Sequence, residues 1–270
     1  MATSCFTSVY GPVKSWRFGR SLGIDPIGDV STCSFNCVYC QLGTIEFKSR
    51  ERMIFIPTTQ IVQDLQAFDP WDVDVVTLSG SGEPTLALNL GEILAQTKAL
   101  TQRPVAVLTN GTLLPDPGLR RELAIADRVA VKIDAISSEQ LRRINRPVET
   151  IELLDIWAGL EEFREQYQGH LAIQTMLLTS WSEHEQANYI ALMRELAPDE
   201  IQLNTPTRPR PATYQTEARG NDYAATSPIQ FLKPVDAKAL QEFAQHIWQA
   251  TQIPVRHPFH HPEGAFYDKA

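Results

Sequence analysis

Residues 33–40 read Cys33-Ser34-Phe35-Asn36-Cys37-Val38-Tyr39-Cys40, so three of the chain's four cysteines fall within eight positions. The spacing is C-x3-C-x2-C, on a loop that follows an apolar run at residues 22–27. Thiolates are soft ligands suited to iron–sulfur clusters, copper(I) or zinc. A [4Fe–4S] cube usually takes four cysteines, and three can hold three irons and leave the fourth open to a small molecule. An open coordination position marks a catalytic metal, not a structural one. Two plainer alternatives compete. A zinc site completed by Cys5 or a histidine would show a second C-x2-C or a spaced histidine pair, yet the first histidine is His170. Buried, inert cysteines would need an apolar setting, and a loop of Ser and Asn is a poor one. The spacing favours the cluster.

Outward from this loop, strand-like and helix-like runs alternate. Strands are expected at 22–27, 74–78, 105–109, 128–133, 170–178 and 200–203, and helices at 58–68, 90–100, 118–126, 150–167, 183–196 and 236–251. Short Val- and Ile-rich strands alternating with helices of this length indicate parallel βαβ units. Six such units predict an α/β fold, a partial (β/α)6 TIM-like barrel with an N-terminal extension and a C-terminal loop plus helix. An open doubly wound sheet is the competing architecture. The chain reads as one domain over 1–270, with a core at about 17–206. Residues 207–270 are expected to form an irregular loop, a final helix and a tail. Within that tail His257, His260 and His261 could make a metal site, but a mobile Pro-rich end is the preferred reading.

Composition narrows the classes. The 270 residues are 43% hydrophobic and 21% charged, ordinary for a globular protein with a buried core. Net charge is −8, which excludes nucleic-acid binding through overall basicity. The acidity is local, since residues 149–200 alone carry eleven acidic and two basic side chains. Positive residues flank the strand ends instead: Lys14, Arg17 and Arg20; Arg142, Arg143 and Arg146; Arg208, Arg210 and Arg219. No run approaches the roughly 18 apolar residues of a membrane helix. No secretory signal is visible, so a cytoplasmic protein without membrane contact is expected.

Polar elements recur where strands end, the side on which α/β enzymes build their sites. Ser79-Gly80-Ser81-Gly82-Glu83-Pro84 follows the second strand, and its glycines let the backbone approach a ligand or simply turn. Thr109-Asn110-Gly111 ends the third, as a polar turn or a helix start. Lys132 and Asp134 share one face of the fourth, where they must pair with each other or bind something. Gln174 and Met176 share a face of the fifth, with Met176 expected in the core. Asn204 ends the sixth, capping a turn or meeting a ligand.

Together, C-x3-C-x-(aromatic)-C with Tyr39 as the aromatic and the GSGEP element resemble the signatures of the radical S-adenosylmethionine (SAM) superfamily. The resemblance implies that Cys33, Cys37 and Cys40 bind a [4Fe–4S] cluster. It also implies that SAM is held among Tyr39, Gly80, Ser81, Gly82, Glu83, Asn110, Lys132, Asp134, Gln174 and Asn204. Within that set the GSGEP backbone and carboxylate would meet the methionine amino group, and Lys132 and Asp134 the ribose or carboxylate. Ser81 stands where the family's pattern has a glycine. Reductive cleavage of SAM to a 5′-deoxyadenosyl radical and hydrogen abstraction would follow, with an electron donor such as flavodoxin or ferredoxin; the catalytic side chains are unknown. The runs at 18–25 and 204–209 resemble a branch of uncharacterised iron–sulfur oxidoreductases related to the wyosine-base-forming tRNA-modifying enzymes, which makes tRNA a compatible substrate. Those enzymes carry a second cluster, whereas only Cys5 is left over here. The alternative from another class is an iron–sulfur electron-transfer or redox-sensing protein without radical chemistry.

Overall fold

The structure, a computed structural model, describes residues 6–222 and 228–259. Eight strands form one sheet in the order β1-β2-β5-β6-β7-β8-β9-β12. They are β1 (Val9–Ser15), β2 (Gly19–Ile24), β5 (Val75–Leu78), β6 (Val105–Thr109), β7 (Arg128–Lys132), β8 (His170–Met176), β9 (Glu200–Asn204) and β12 (Val255–Arg256). Two short pairs lie outside it: β3 (Thr32–Cys33) with β4 (Phe47–Lys48), and β10 (Arg210–Pro211) with β11 (Ile229–Gln230). From β2 to β12 every pairing in the sheet is parallel, and only β1 runs antiparallel.

The helices are α1 (Thr58–Gln66), α2 (Leu90–Thr101), α3 (Pro117–Leu123), α4 (Ser138–Ile144), α5 (Leu153–Gln166), α6 (Glu183–Leu196) and α7 (Ala237–Thr251). Their starts are written locally. Asp116 accepts from Gly118 N with Pro117 at the first helical position of α3, and Ser182 with Glu185 forms a reciprocal capping box on α6.

Strand periodicity divides the sheet into two faces. Leu22, Val76, Val107, Val129, Ile173 and Ile201 join the buried faces of α1, α2, α5 and α7 in one apolar core. Their neighbours Ser21, Thr77, Leu108, Gln174 and Gln202 face a cavity on the other side. The expected six-stranded parallel barrel is therefore present, curled and incomplete.

The sheet exceeds the expected core at both ends. Val9–Ser15 carries Gly11 and Pro12, which read as breakers but are tolerated on an edge strand. At the other end β12 is only two residues long, below any periodic signal. The structure corrects the expected tail, because Val255 and Arg256 pair with β9 and His257 is 4% exposed. His260 and His261 lie outside the described residues. The helix α4 lies in a stretch that carried no helix expectation. The curl is tied at its open side: Arg256 Nη1 donates to Arg17 O at 3.0 Å and Nη2 to Trp16 O, joining the last strand to the turn between the first two.

Candidate active site

The cysteine loop leaves β3 and is gripped by the end of α4. Asn36 N donates to Asn145 O (2.9 Å), Val38 N to Ile144 O (3.0 Å), and Val148 N to Ser34 O (2.9 Å). Two turns then follow, Cys40 N to Cys37 O (3.1 Å) and Gly43 N to Cys40 O (3.0 Å). Gly43 has φ +93°, and a Cβ there would stand 2.2 Å from Thr213 O, so the segment after β9 lies directly on this loop.

Donors surround the sulfurs. Lys132 Nζ lies 2.9 Å from Cys37 Sγ, and Asn145 Nδ2 3.5 Å from the same atom. Phe35 N and Asn110 Nδ2 approach Cys33 Sγ at 3.4 and 3.7 Å. Burial pushes the Cys40 thiol up to about 11 and the Cys33 thiol well above its usual range. Among the described residues no three His, Cys, Asp or Glu side chains converge on one ion. A cube binds each thiolate to a different iron, so three cysteines on one loop need not converge. The donor set, three thiols ringed by N–H groups and one ammonium, fits a [4Fe–4S] cluster, and N–H donors to sulfur are a known means of tuning one. Cys5 lies outside the described residues.

Asp134 organises this neighbourhood. It accepts from Tyr39 OH, from Asn145 Nδ2 (2.7 Å), from Met176 N (2.9 Å), and pairs with Lys132 Nζ at 3.0 Å. Burial opposes the Lys132 charge, but Asp134, Cys37 and Tyr39 outweigh it and hold the ammonium above the usual lysine range. Lys132 also lies 4.5 Å from the centre of the Tyr39 ring. Asn145, 1% exposed, drew no attention in the sequence, since nothing local marks an Asn at a helix end as a loop anchor.

The GSGEP turn crosses the cysteine loop at contact distance. A Cβ on Gly82 would stand 1.7 Å from Thr32 O, and Glu83 N donates to that same oxygen at 3.0 Å. Ser81 is fully buried and turned away from the cavity: its N and Oγ donate to Asp25 at 3.0 and 2.5 Å. Glu83 is also committed to the protein, accepting from Thr85 N, Thr85 Oγ1, Thr109 Oγ1 (2.6 Å) and Asn110 N (2.7 Å). Burial pushes its carboxyl up, against the lowering effect of these bonds. Asn110 donates to Ser34 Oγ at 2.8 Å and so secures the cysteine loop.

A cavity of about 420 Å³ lies inside the curled sheet. Cys37, Cys40, Tyr39, Gly80, Gly82, Lys132, Asp134, Gln174 and Asn204 all line it, as does Met176, which the sequence placed in the core. Ser81, Glu83 and Asn110 stand behind the wall, and Cys33 is half-buried beside it. Of the flanking cations, Lys14, Arg17, Arg208 and Arg219 line the cavity; Arg142, Arg143 and Arg146 do not. Arg20 pairs with Asp72 at the surface, and Arg210 donates to Thr44.

Residues 29–193 match the family model described as "Radical SAM superfamily". The chain is 53% identical over 254 residues to a UPF0026 protein of Synechocystis, covering 93% of this chain and 96% of that one. It is 34% identical over 132 residues to a probable GTP 3′,8-cyclase of Saccharolobus islandicus, covering 47% and 40% of the two chains. Streptococcus suis SuiB bound to S-adenosylmethionine shares the fold with a TM-score of 0.60 at 16% identity. That likeness covers 88% of this chain and 52% of SuiB, so this chain spans about half the length of that structural relative.

Proposed function

The chain belongs to the radical SAM superfamily and is an enzyme of it, and from that premise we propose that all 270 residues serve as one domain that performs hydrogen abstraction on an organic substrate inside the curled sheet. One observation carries the reading: Cys37 and Cys40 line the same cavity as Gly80, Gly82, Lys132 and Gln174. When bound, a [4Fe–4S] cluster and SAM supply reductive cleavage of the sulfonium to a 5′-deoxyadenosyl radical. Cys33, Cys37 and Cys40 would hold the cluster. Lys132, Asn145 and Asn110 place positive charge and N–H groups against the sulfurs, offsetting thiolate charge in a buried site. The exposed backbone of Gly80 and Gly82, with Tyr39, Asp134, Gln174 and Asn204, supplies the polar wall for SAM. Ser81, Glu83 and Asn110 hold that wall in place from behind.

Leu108 and Met176 give the cavity an apolar side, which keeps water from a reactive intermediate. The reductant is a one-electron carrier such as flavodoxin or ferredoxin, and the setting a reducing one such as the cytoplasm. Among the described residues no helix is long and apolar enough to cross a membrane. The test is anaerobic reconstitution with iron, sulfide, SAM and dithionite, followed by chromatography for 5′-deoxyadenosine. Its formation by the wild type and loss in Cys37→Ala support the reading; no product from the wild type overturns it. The narrower reading, a tRNA base as substrate and kinship with the wyosine-related branch, is tested by filter binding of tRNA against salt. Binding that weakens steeply with salt supports it, and no binding at low ionic strength removes it.

A further inference from the structure

The cysteine loop has two sides. On one, Cys37 and Cys40 face a cavity of about 420 Å³, room for small molecules and not for a protein. On the other, two short segments cover the loop backbone. Ser49 N donates to Cys33 O at 3.1 Å, and Val148 N to Ser34 O at 2.9 Å. Asn145 Nδ2 stands 3.5 Å from Cys37 Sγ. Exposed cations adjoin these contacts in the chain: Lys48 and Arg50 flank Ser49, and Arg146 follows Asn145. Lys48 Nζ also donates to Arg146 O and Pro147 O at 3.3 and 3.0 Å, which joins the two segments into one surface. That surface is one residue removed from the groups that touch Cys33 and Cys37.

Its composition suits a protein partner. The exposed guanidinium of Arg146 makes no hydrogen bond or ion pair among the described residues. Arg143, in the last turn of α4, is exposed as well, whereas Arg142 is already paired with Glu152 at 3.3 Å. Three carboxylates stand farther along the chain from Ser49 and Asn145: Glu46, which accepts from Ser31 N at 3.0 Å, Glu51 and Glu149. Phe47 is 58% exposed beside Lys48, and Val30 is 57% exposed beside Ser31, whose carbonyl accepts from Phe47 N. An exposed aromatic ring among arginines is the make-up of a protein-binding surface. None of Arg142, Arg143 and Arg146 lines the cavity, so this face does not hold the substrate. On a chain of net charge −8, a local group of exposed cations selects an acidic partner and orients it.

We propose that Lys48, Arg50, Arg143 and Arg146, with Phe47, form the docking face of an acidic one-electron carrier protein. The proposal rests on the iron–sulfur reading of the three cysteines. One electron passes from the reduced carrier, which is oxidised, to the cluster, which is reduced; no proton moves and no bond breaks. Electron transfer weakens steeply with distance, so a carrier seated where Ser49 and Asn145 meet Cys33 and Cys37 has a short route. The route avoids the cavity, and the carrier can bind while SAM and substrate are in place.

The test is stopped-flow reduction of the anaerobically reconstituted protein, read as loss of its visible iron–sulfur absorbance. The reductants are an acidic flavodoxin and, separately, an acidic [2Fe–2S] ferredoxin, each in its reduced form, with dithionite as the small reductant. The double variant Arg143→Glu/Arg146→Glu should slow reduction by the carriers about tenfold or more and flatten its salt dependence. Its reduction by dithionite should be unchanged, which shows that the cluster itself is unaltered. Lys238→Glu, an exposed charge reversal on α7 and outside this face, should behave as the wild type does. Iron content and melting temperature show whether each variant is intact, and Arg143→Gln/Arg146→Gln decides if the charge reversal does not fold. The proposal is overturned if neither carrier reduces the wild type, if the folded variants are reduced as fast, or if dithionite slows by the same factor. Loss of tRNA binding in the variants with carrier rates intact would assign the face to RNA and overturn it as well. Carrier reduction lost in the variants, with no 5′-deoxyadenosine from the wild type, would sink the radical SAM reading and keep the face. 5′-Deoxyadenosine formed with dithionite, and carrier rates untouched by the variants, would do the reverse.

Discussion

Arg219 Nη1 lies 2.7 Å from Asp25 Oδ2, an ion pair in which the two side chains are 7% and 0% exposed and 194 residues apart. Asp25 also accepts from Ser81 N, Ile27 N and Gly28 N, so one carboxylate binds the β2 end, the GSGEP turn and the segment after β9. Arg219 is further enclosed by the Phe6 and Tyr10 rings, at 4.8 and 5.1 Å. Removing one partner leaves a buried charge, which costs about 3–5 kcal/mol. Arg219→Met should therefore lower denaturant stability by that order and open residues 205–222 to proteolysis. Adding Asp25→Asn to Arg219→Met should recover part of the loss, because the stranded charge is gone. A double variant as unstable as the sum of the two singles would show that the pair is not the source.

The cysteines should divide three and one. Cys33→Ala, Cys37→Ala and Cys40→Ala should each abolish stable cluster binding, read as iron and sulfide content after anaerobic gel filtration. Cys5→Ala should retain the full iron content and SAM cleavage. Cluster loss with Cys5→Ala would instead mean a closed, four-cysteine cluster, as an electron-transfer protein would have.

Gly82→Ala should be among the most damaging single methyl additions in the chain. The new Cβ would meet Thr32 O at 1.7 Å, and neither backbone can move without breaking the Glu83 N to Thr32 O bond. We expect a loss of at least about 2 kcal/mol in stability, in the upper part of the single-mutant range. SAM binding measured by equilibrium dialysis should be lost with it. Wild-type stability in Gly82→Ala would contradict the crossing of the two loops.

Asn145 stands against Cys37 Sγ and Asp134 and does not line the cavity. Asn145→Ala removes a donor to Cys37 Sγ and one to Asp134, leaving buried acceptors short by one bond at a cost of about 1–3 kcal/mol. The reduction potential of the reconstituted cluster should fall in this variant, because N–H donors to sulfur stabilise the reduced state. An unchanged potential with lowered stability would reduce Asn145 to a structural anchor.

Acid sensitivity should centre on Asp127. Burial raises its carboxyl, but hydrogen bonds from Lys98 and Val105 N outweigh this and hold it below the ordinary value of 3.8. A depressed folded pKa gives stabilisation that is complete above about pH 4 and fades as pH falls through the folded value. Asp127→Asn should lower the melting temperature at neutral pH and flatten its decline below pH 4. An identical acid limb in both proteins would remove Asp127 from the account.

Much of the site is local and was legible for that reason. Cys33, Cys37, Cys40 and Tyr39 sit on one loop, and the glycines of the GSGEP turn are two residues apart, so spacing shows the grouping and the resemblance to the radical SAM signatures supplies the chemistry. The alternation of core and cavity residues is likewise in the strands themselves, as in Ile173 against Gln174 and Ile201 against Gln202. Asn145 and Asp25 were not recognised, because an Asn at a helix end or an Asp in a turn has ordinary local reasons to be there, and Arg219 was singled out as a flanking cation without its buried partner Asp25. Ser81, Glu83 and Asn110 were found as motif residues, but their side chains face protein partners that no spacing reveals.

The sequence by itself determined the grouping of three thiols on one loop, the six parallel strands and the order in which polar elements meet at their ends. These follow from spacing and periodicity, which are properties of neighbours along the chain. Only the tertiary structure decided that β1 and β12 complete the sheet, that Arg256 ties its open side, and that Lys14, Arg17, Arg208 and Arg219 line one cavity with Cys37 and Cys40. Those outcomes depend on which distant groups burial forces together, and a buried charge accepts whatever partner the fold brings within reach.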